Sequence, residues 1–218
     1  MPRIGVIAAL AEEADALFPG LGETDGSGAF PVRRVETVTI LRSGIGKVNA
    51  AAAVALLALR EECNLILSIG TAGRISGIEG RCFWIASAVQ HDYGAERSDG
   101  FVHYSAGSWP IGPATLEPFL PIADPGLGLP HARIASGDAF IESPDRSRLL
   151  AGGLSTDLVD METAAIAQAA ALFGLPWAAI RAVSDDADSG SAGDFQANLQ
   201  AAAREAGAAT ERLVPLLG

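Results

Sequence analysis

Apolar residues in this chain gather in short uninterrupted blocks instead of alternating with polar ones. Residues 4–9, 38–41, 65–69, 83–89, 133–135 and 177–183 are rich in β-forming side chains and mostly apolar along their whole length. Strands of that kind are covered on both faces, so the blocks predict a central sheet with helices above and below it. The Ala- and Leu-rich stretches 47–60, 162–173 and 195–217 have the length and propensity to supply those helices. Pro215 is expected to kink or fray the end of the last one. The fold class that follows is α/β: a three-layer sandwich with a central mixed, largely parallel sheet flanked by helices. Residues 20–31 and 92–130 carry no periodicity and read as loops or an irregular insertion. No repeat, low-complexity tract or linker divides the chain, so residues 1–218 are expected to form one domain.

Composition narrows the partners. With 49% hydrophobic and 19% charged residues, the chain has ample apolar area for a core, and wholesale disorder is excluded. Fifteen Lys and Arg stand against 26 Asp and Glu, a net charge of −11 that repels phosphate backbones and anionic headgroups. Nucleic acid and membrane are therefore disfavoured as partners. The longest apolar run, residues 50–59, is 10 residues, against the roughly 20 that a bilayer-spanning helix needs. Glu12 and Glu13 stand where a signal peptide would need small residues, and a cytoplasmic location is expected. Cys63 and Cys82 have no C-x-x-C spacing and no nearby His, which suggests buried free thiols, with no disulfide or zinc site. No metal and no cofactor are expected.

Several short segments carry possible chemistry, each with an ordinary structural reading beside it. Ser43-Gly44-Ile45-Gly46-Lys47-Val48-Asn49 links a strand to a helix, so its amides could hold an anion at the helix N-terminus or simply form a tight turn. It departs from a dinucleotide fingerprint because Asn49 replaces the third glycine and no acid ends a strand about 20 residues later. Gly70-Thr71-Ala72-Gly73 follows the block 65–69, where open α/β sheets receive ligands, or is a structural turn. Asp157 to Glu162 places three carboxylates at a strand-to-helix junction. They could complement the helix dipole, or one could accept hydrogen bonds from sugar hydroxyls. Ser184-Asp185-Asp186-Ala187-Asp188 puts an acid at the carboxyl end of a strand, and its spacing fails a calcium loop at three positions. Glu12 and Glu13 follow the first strand and could be solvated helix-start acids. A pair such as Glu13 and Asp185, one protonated and one ionised, is what cleavage of a glycosidic bond needs. His91-Asp92 could be a catalytic pair or a structural hydrogen bond, and His103 and His131 are scattered. No esterase elbow, His-Glu-x-x-His or Walker loop is present.

In order along the chain, residues 4–13, 43–48, 70–73, Ser136-Gly137-Asp138-Ala139-Phe140-Ile141, Asp160-Met161-Glu162 and Arg181-Ala182-Val183-Ser184-Asp185-Asp186-Ala187-Asp188 resemble the bacterial methylthioadenosine/S-adenosylhomocysteine nucleosidases. These belong to the nucleoside phosphorylase and nucleosidase superfamily. The resemblance implies that Asp185 protonates the purine at N7 and that Glu13 orients and deprotonates the attacking water. It also implies that Met161 and Glu162 hold the ribose, Phe140 stacks on adenine, the Ile141 backbone reads the adenine edge and Gly73 lines the base pocket. Thr71, Ala72, Asp160 and Ser184 come with the same motifs as substrate-binding positions. Leu10, Ile45 and Phe195 fall where the family packs the 5′-alkylthio group. A homodimer is implied as well. The family usually has Glu where Asp160 stands and often Ser where Thr71 stands. Tyr93 to Ser98 departs from its pattern, which leaves the 5′ preference open.

The expected activity is hydrolysis of 5′-methylthioadenosine or S-adenosylhomocysteine. Phosphorylases of the superfamily present arginines near the first strand and before the glycine-rich turn, whereas here residues 7–13 and 67–70 hold no cation. Phosphorolysis would gain ground if Arg74, Arg81 or an arginine from a partner subunit lined the pocket. Futalosine or adenosine are other candidate substrates, and a non-catalytic nucleoside-binding module remains an alternative.

Overall fold

The structure is a computed structural model and describes residues 2–218. Its elements in chain order are β1 (Ile4–Ala8), α1 (Ala11–Asp15), β2 (Glu23–Asp25), β3 (Val32–Val35), β4 (Val38–Arg42), α2 (Lys47–Leu59), β5 (Leu65–Arg74) and β6 (Cys82–Gln90). There follow β7 (Gly94–Arg97), β8 (Gly100–His103), β9 (His131–Ser136), α3 (Pro144–Leu154), β10 (Leu158–Asp160), α4 (Thr163–Leu172), β11 (Trp177–Asp185), α5 (Ser191–Leu213) and a 3-10 turn at Val214–Leu217. The apolar blocks become strands of a mixed nine-stranded sheet in the order β10-β9-β6-β11-β5-β1-β4-β3-β2. The centre of the sheet is parallel, β11 to β5 to β1 to β4. Strand β10 pairs in parallel with β9 and also returns antiparallel onto β5, so the sheet curls round on itself.

Alternation along the central strands divides their side chains between two helical layers. Ile4, Val6, Leu65, Leu67, Ala178 and Ile180 pack with Ala14 and Leu17 near α1 and with Ala202, Ala206 and Ala209 of α5. Ile7, Ile66, Trp177 and Ala179 pack on the other side against Ala50, Ala53, Val54 and Leu57 of α2 and the alanines of α4. Small residues let the layers approach closely. A Cβ at Gly207 would lie 2.5 Å from the Ala16 carbonyl oxygen, so only glycine lets α5 press on the end of α1. Helix α1 has five residues, too few to hold together alone. Arg33 of β3 completes it by donating to the carbonyls of Ala14, Leu17, Phe18 and Leu21, groups that a helix end leaves without partners.

Several expectations are corrected. Gly70 to Gly73 continues β5 and is not a turn, because β11 pairs with it as far as Asp185↔Gly73 and β10 covers its other edge at Val159↔Gly73. The region 20–31 contains β2, paired with β3. The region 92–130 opens with the β7–β8 hairpin and later touches the sheet where Phe119 bridges Ala88. Helix α3 lies outside the expected set. It is set by the Ser143 cap on the Arg146 amide and by Pro144 in its first turn. Helix α5 starts at Ser191, earlier than expected, and gives way to the 3-10 turn around Pro215. Cys63 is buried, Cys82 only partly so, and both are free. No helix among the described residues is long and apolar enough to cross a membrane.

Candidate active site

Strand β5 lies between β1 and β11, and one acid reaches it from each side. Glu13, in α1 just after β1, is 4% exposed. Its Oε2 accepts the amides of Ala9 and Leu10 at 3.0 Å each, and its Oε1 accepts the Thr71 amide at 2.8 Å and the Thr71 hydroxyl at 3.1 Å. Burial pushes the carboxyl of Glu13 up, only partly offset by the charge of Arg181 and by the donors of Thr71 and Leu10. Asp185 closes β11 and is 6% exposed. Its Oδ1 accepts the Ala187 amide at 3.0 Å, and Ser184 Oγ donates to its Oδ2 at 2.8 Å. The two glycines of β5 make room for these groups. A Cβ at Gly70, whose φ is +155°, would lie 2.7 Å from Glu13 Oε1, and one at Gly73 would lie 3.0 Å from Asp185 Oδ1.

The third buried acid, Glu162, caps the start of α4, and its Oε1 accepts the Gly46 amide at 2.9 Å. Burial, followed by the charge of Asp160, raises its carboxyl well above the usual range, against the pull of the Gly46 amide and Arg181. Asp160 is engaged within the protein. Ser136 donates to its Oδ1, and the Thr163 amide (3.0 Å), the Thr163 hydroxyl, Arg181 Nε (3.0 Å) and Arg181 Nη2 (2.8 Å) all donate to its Oδ2. Most of its lone pairs are taken, and Asp160 anchors Arg181 while also lining the cavity. Arg181 belongs to the 181–188 motif, but the sequence assigned it no role beside Asp160. A cation inside the otherwise apolar block 177–183 was the available signal, since a buried guanidinium demands a carboxylate. It also donates to Ser68 Oγ at 2.7 Å.

All the positions named from sequence line one cavity of about 480 Å³: Glu13 and Asp185 with Leu10, Ile45, Thr71, Ala72, Gly73, Phe140, Ile141, Asp160, Met161, Glu162, Ser184 and Phe195. Ala9, Ala139, Val159, Ala192 and Gln196 also line it and were not foreseen. Phe140 and Phe195 meet edge to face, with ring centroids 5.9 Å apart. Phe140 is 45% exposed and Ile45 51%, so the rim is apolar and open. The anions at the 43–49 turn prove to be the protein's own: Gly46 N serves Glu162, and Lys47 N donates to Asp138 Oδ1 at 2.8 Å.

Other candidates lie elsewhere. Glu12 is exposed, and Asp157 accepts from the Arg133 amide and Ser76 Oγ. His91 makes no bond to Asp92. It is buried beneath Gly137, and neither ring nitrogen has a partner among the described residues. His103 contacts the His91 carbonyl oxygen, and His131 pairs with Asp124. Arg74 donates to the Gly80 carbonyl and sits 3.7 Å from Asp186, while Arg81 pairs with Glu205 at 3.0 Å. Among the described residues, no Lys or Arg lines the cavity.

Comparison with known proteins adds an independent line. Residues 3–215 match the family described as the phosphorylase superfamily. A 5′-methylthioadenosine/S-adenosylhomocysteine nucleosidase of Bacillus licheniformis is 32% identical over 224 residues, covering 93% of this chain and 94% of that protein. Among solved structures, the nucleosidase of that name from Helicobacter pylori with butyl-thio-DADMe-Immucillin-A superposes with a TM-score of 0.85 at 23% identity, covering 99% and 98% of the two chains. Futalosine hydrolase of Helicobacter pylori superposes with a TM-score of 0.83 at 24% identity, covering 97% of each.

Proposed function

The chain belongs to the methylthioadenosine/S-adenosylhomocysteine nucleosidase family of the phosphorylase superfamily and is an N-glycosyl hydrolase, and on that footing we propose that it cleaves 5′-methylthioadenosine, S-adenosylhomocysteine or both to adenine and the thioribose product. The observation that carries this reading is the convergence of buried Glu13 and Asp185 on one cavity from the two neighbours of β5. In this reaction Asp185 gives its proton to N7 of the purine as the bond between C1′ and N9 breaks. The base then leaves neutral while positive charge builds on the ribose. Water attacks C1′ and passes a proton to Glu13. Three of the donors to Glu13 are fixed backbone amides, so the Thr71 hydroxyl is the one that can turn to admit that water.

Glu162 and Met161 hold the ribose in this reading. Phe140 stacks on adenine, and the Ile141 backbone reads the base edge beside Thr71, Ala72 and Gly73. Leu10, Ile45 and Phe195 pack the alkylthio part of the 5′ substituent. A homodimer, with the second copy covering half-exposed Ile45 and Phe140, fits the same arrangement. The likeness of the fold to a futalosine hydrolase makes futalosine the main rival substrate. Incubation with 5′-methylthioadenosine, S-adenosylhomocysteine, adenosine and futalosine, with chromatography of the freed base, tests the proposal. Adenine from the first two is expected, and turnover of futalosine alone would reassign the substrate.

A further inference from the structure

The cavity is framed on one side by the turn after β4, which carries Ile45 and Gly46, and on the other by the turn after β9, which carries Ala139, Phe140 and Ile141. The strands that feed these turns are far apart, with β6, β11, β5 and β1 between them, so the sheet ladder does not bind one turn to the other. Polar side chains do. Lys47 N donates to Asp138 Oδ1 at 2.8 Å, the Asp138 amide donates to Asp92 Oδ2 at 2.9 Å, and Lys47 Nζ donates to Asp92 Oδ1 at 2.7 Å. The three contacts form a closed ring. Lys47 Nζ also reaches Gln90 Oε1 at 3.3 Å, and Gln90 in turn donates to Gln168 of α4 at 2.7 Å. The ring fits tightly against the turn that it holds. Gly46 has φ +99°, and a Cβ there would lie 3.1 Å from Asp138 Oδ1. The amide of that same Gly46 is the one that meets Glu162.

We infer that Lys47, Asp92 and Asp138 are positioning residues: a latch across the cavity that holds the 43–46 and 137–141 turns at the separation a purine nucleoside requires. The side chains of Lys47 and Asp92 are 21% and 29% exposed, so the pair is partly shielded from solvent, where a surface ion pair would contribute little. The donors that anchor Glu13 and Asp185 come from Ala9, Leu10, Thr71, Ser184 and Ala187, none of which belongs to the latch. Loosening it therefore weakens binding while the two acids stay in place. This consequence for substrate rests on the nucleosidase reading above, whereas the coupling of the two turns does not.

The test uses Lys47→Met, Asp92→Asn and Lys47→Arg in the full chain. Hydrogen exchange of the free protein should quicken at residues 137–141 as well as 43–47 in Lys47→Met and Asp92→Asn, with α5 unchanged. Lys47→Arg should restore most of the protection. Steady-state kinetics with 5′-methylthioadenosine should show KM raised by roughly 10- to 100-fold and kcat held within about threefold, the signature of lost uniform binding. Unchanged exchange at 137–141 in Lys47→Met overturns the latch whatever the substrate is. Faster exchange with an unaltered KM overturns the positioning role. A wild-type protein that turns over no purine nucleoside removes the substrate consequence together with the proposed function, and the exchange data still decide the coupling.

Discussion

Asp185 and Glu13 are held differently, and substitutions should separate them. The carboxyl of Asp185 is held by one amide and one hydroxyl, a pattern that asparagine can copy. Asp185→Asn is expected to bind nucleoside nearly as the wild type does and to lose about 10²–10⁴-fold in kcat; calorimetry beside a turnover assay checks both halves, and undiminished kcat removes Asp185 from the acid role. Glu13 must be ionised to take a proton from water, and burial holds its pKa above the ordinary range. The acid limb of the rate profile should therefore fall above that range. Thr71→Val, which deletes a donor to the ionised form, should move the limb higher still. Glu162 poses the converse case. A carboxyl whose native pKa is raised binds its proton longer when folded, so it supports folding below the ordinary carboxylate range and loses that contribution as pH rises through the native value. In Glu162→Gln the amide oxygen can still accept from Gly46 N, with no charge to repel Asp160 and Glu13. Melting temperatures from mildly acidic to alkaline pH should fall for the wild type and fall less for Glu162→Gln, even as the variant loses ribose affinity.

Strand β5 does more than fill the sheet, because its glycines form the space between two acids. Gly73→Ala requires no positive φ, yet its Cβ would stand 3.0 Å from Asp185 Oδ1 and 3.2 Å from the side chains of Ala187 and Val159. The fold should survive, and a small displacement of the acid should cost about 10²-fold in kcat; a crystal structure of the variant with unmoved Asp185 and full activity would contradict this. The strand also shows how far the sequence could be read. The continuous apolar blocks foretold the buried sheet, and the alanine-rich stretches foretold α2, α4 and α5, because burial on two faces leaves a strong local signal. Gly70 to Gly73 read as a ligand-receiving segment beyond the strand or as a turn, and in neither case as strand, since glycine is a poor strand former and the reason for it here is a carboxylate contributed by Glu13, 57 residues earlier. Strands β2, β7, β8 and β10 are three or four residues long and exist through pairing that no local pattern records. The motifs named the positions that share the cavity. Arg181 left a trace as a cation inside an apolar block, but its pairing with Asp160 and Ser68 joins β11, β10 and β5 and could be seen only in three dimensions.

For the molecule as a whole, the choice between water and phosphate as the nucleophile turns on charge. The chain carries a net −11, and buried Glu13, Asp185 and Glu162 line the cavity with no Lys or Arg among its described lining residues. The nearest buried cation, Arg181, spends its Nε and Nη2 on Asp160 and Ser68, while Arg74 and Arg81 are held outside the cavity. A phosphate dianion entering this space would give up its hydration beside ionised Glu13 with no Lys or Arg of the described lining to compensate it, a cost of several kcal/mol at the least. Water suffers no such loss, and Glu13 beside the Thr71 hydroxyl gives it both an acceptor and a partner. Turnover should thus be the same in phosphate-free buffer and with phosphate raised to tens of millimolar, and mass spectrometry should find the sugar product without a phosphate group. A rate that rises in proportion to phosphate, or a sugar 1-phosphate among the products, would mean that a cation absent from this cavity completes the site, and the water-activating role of Glu13 would fall with it.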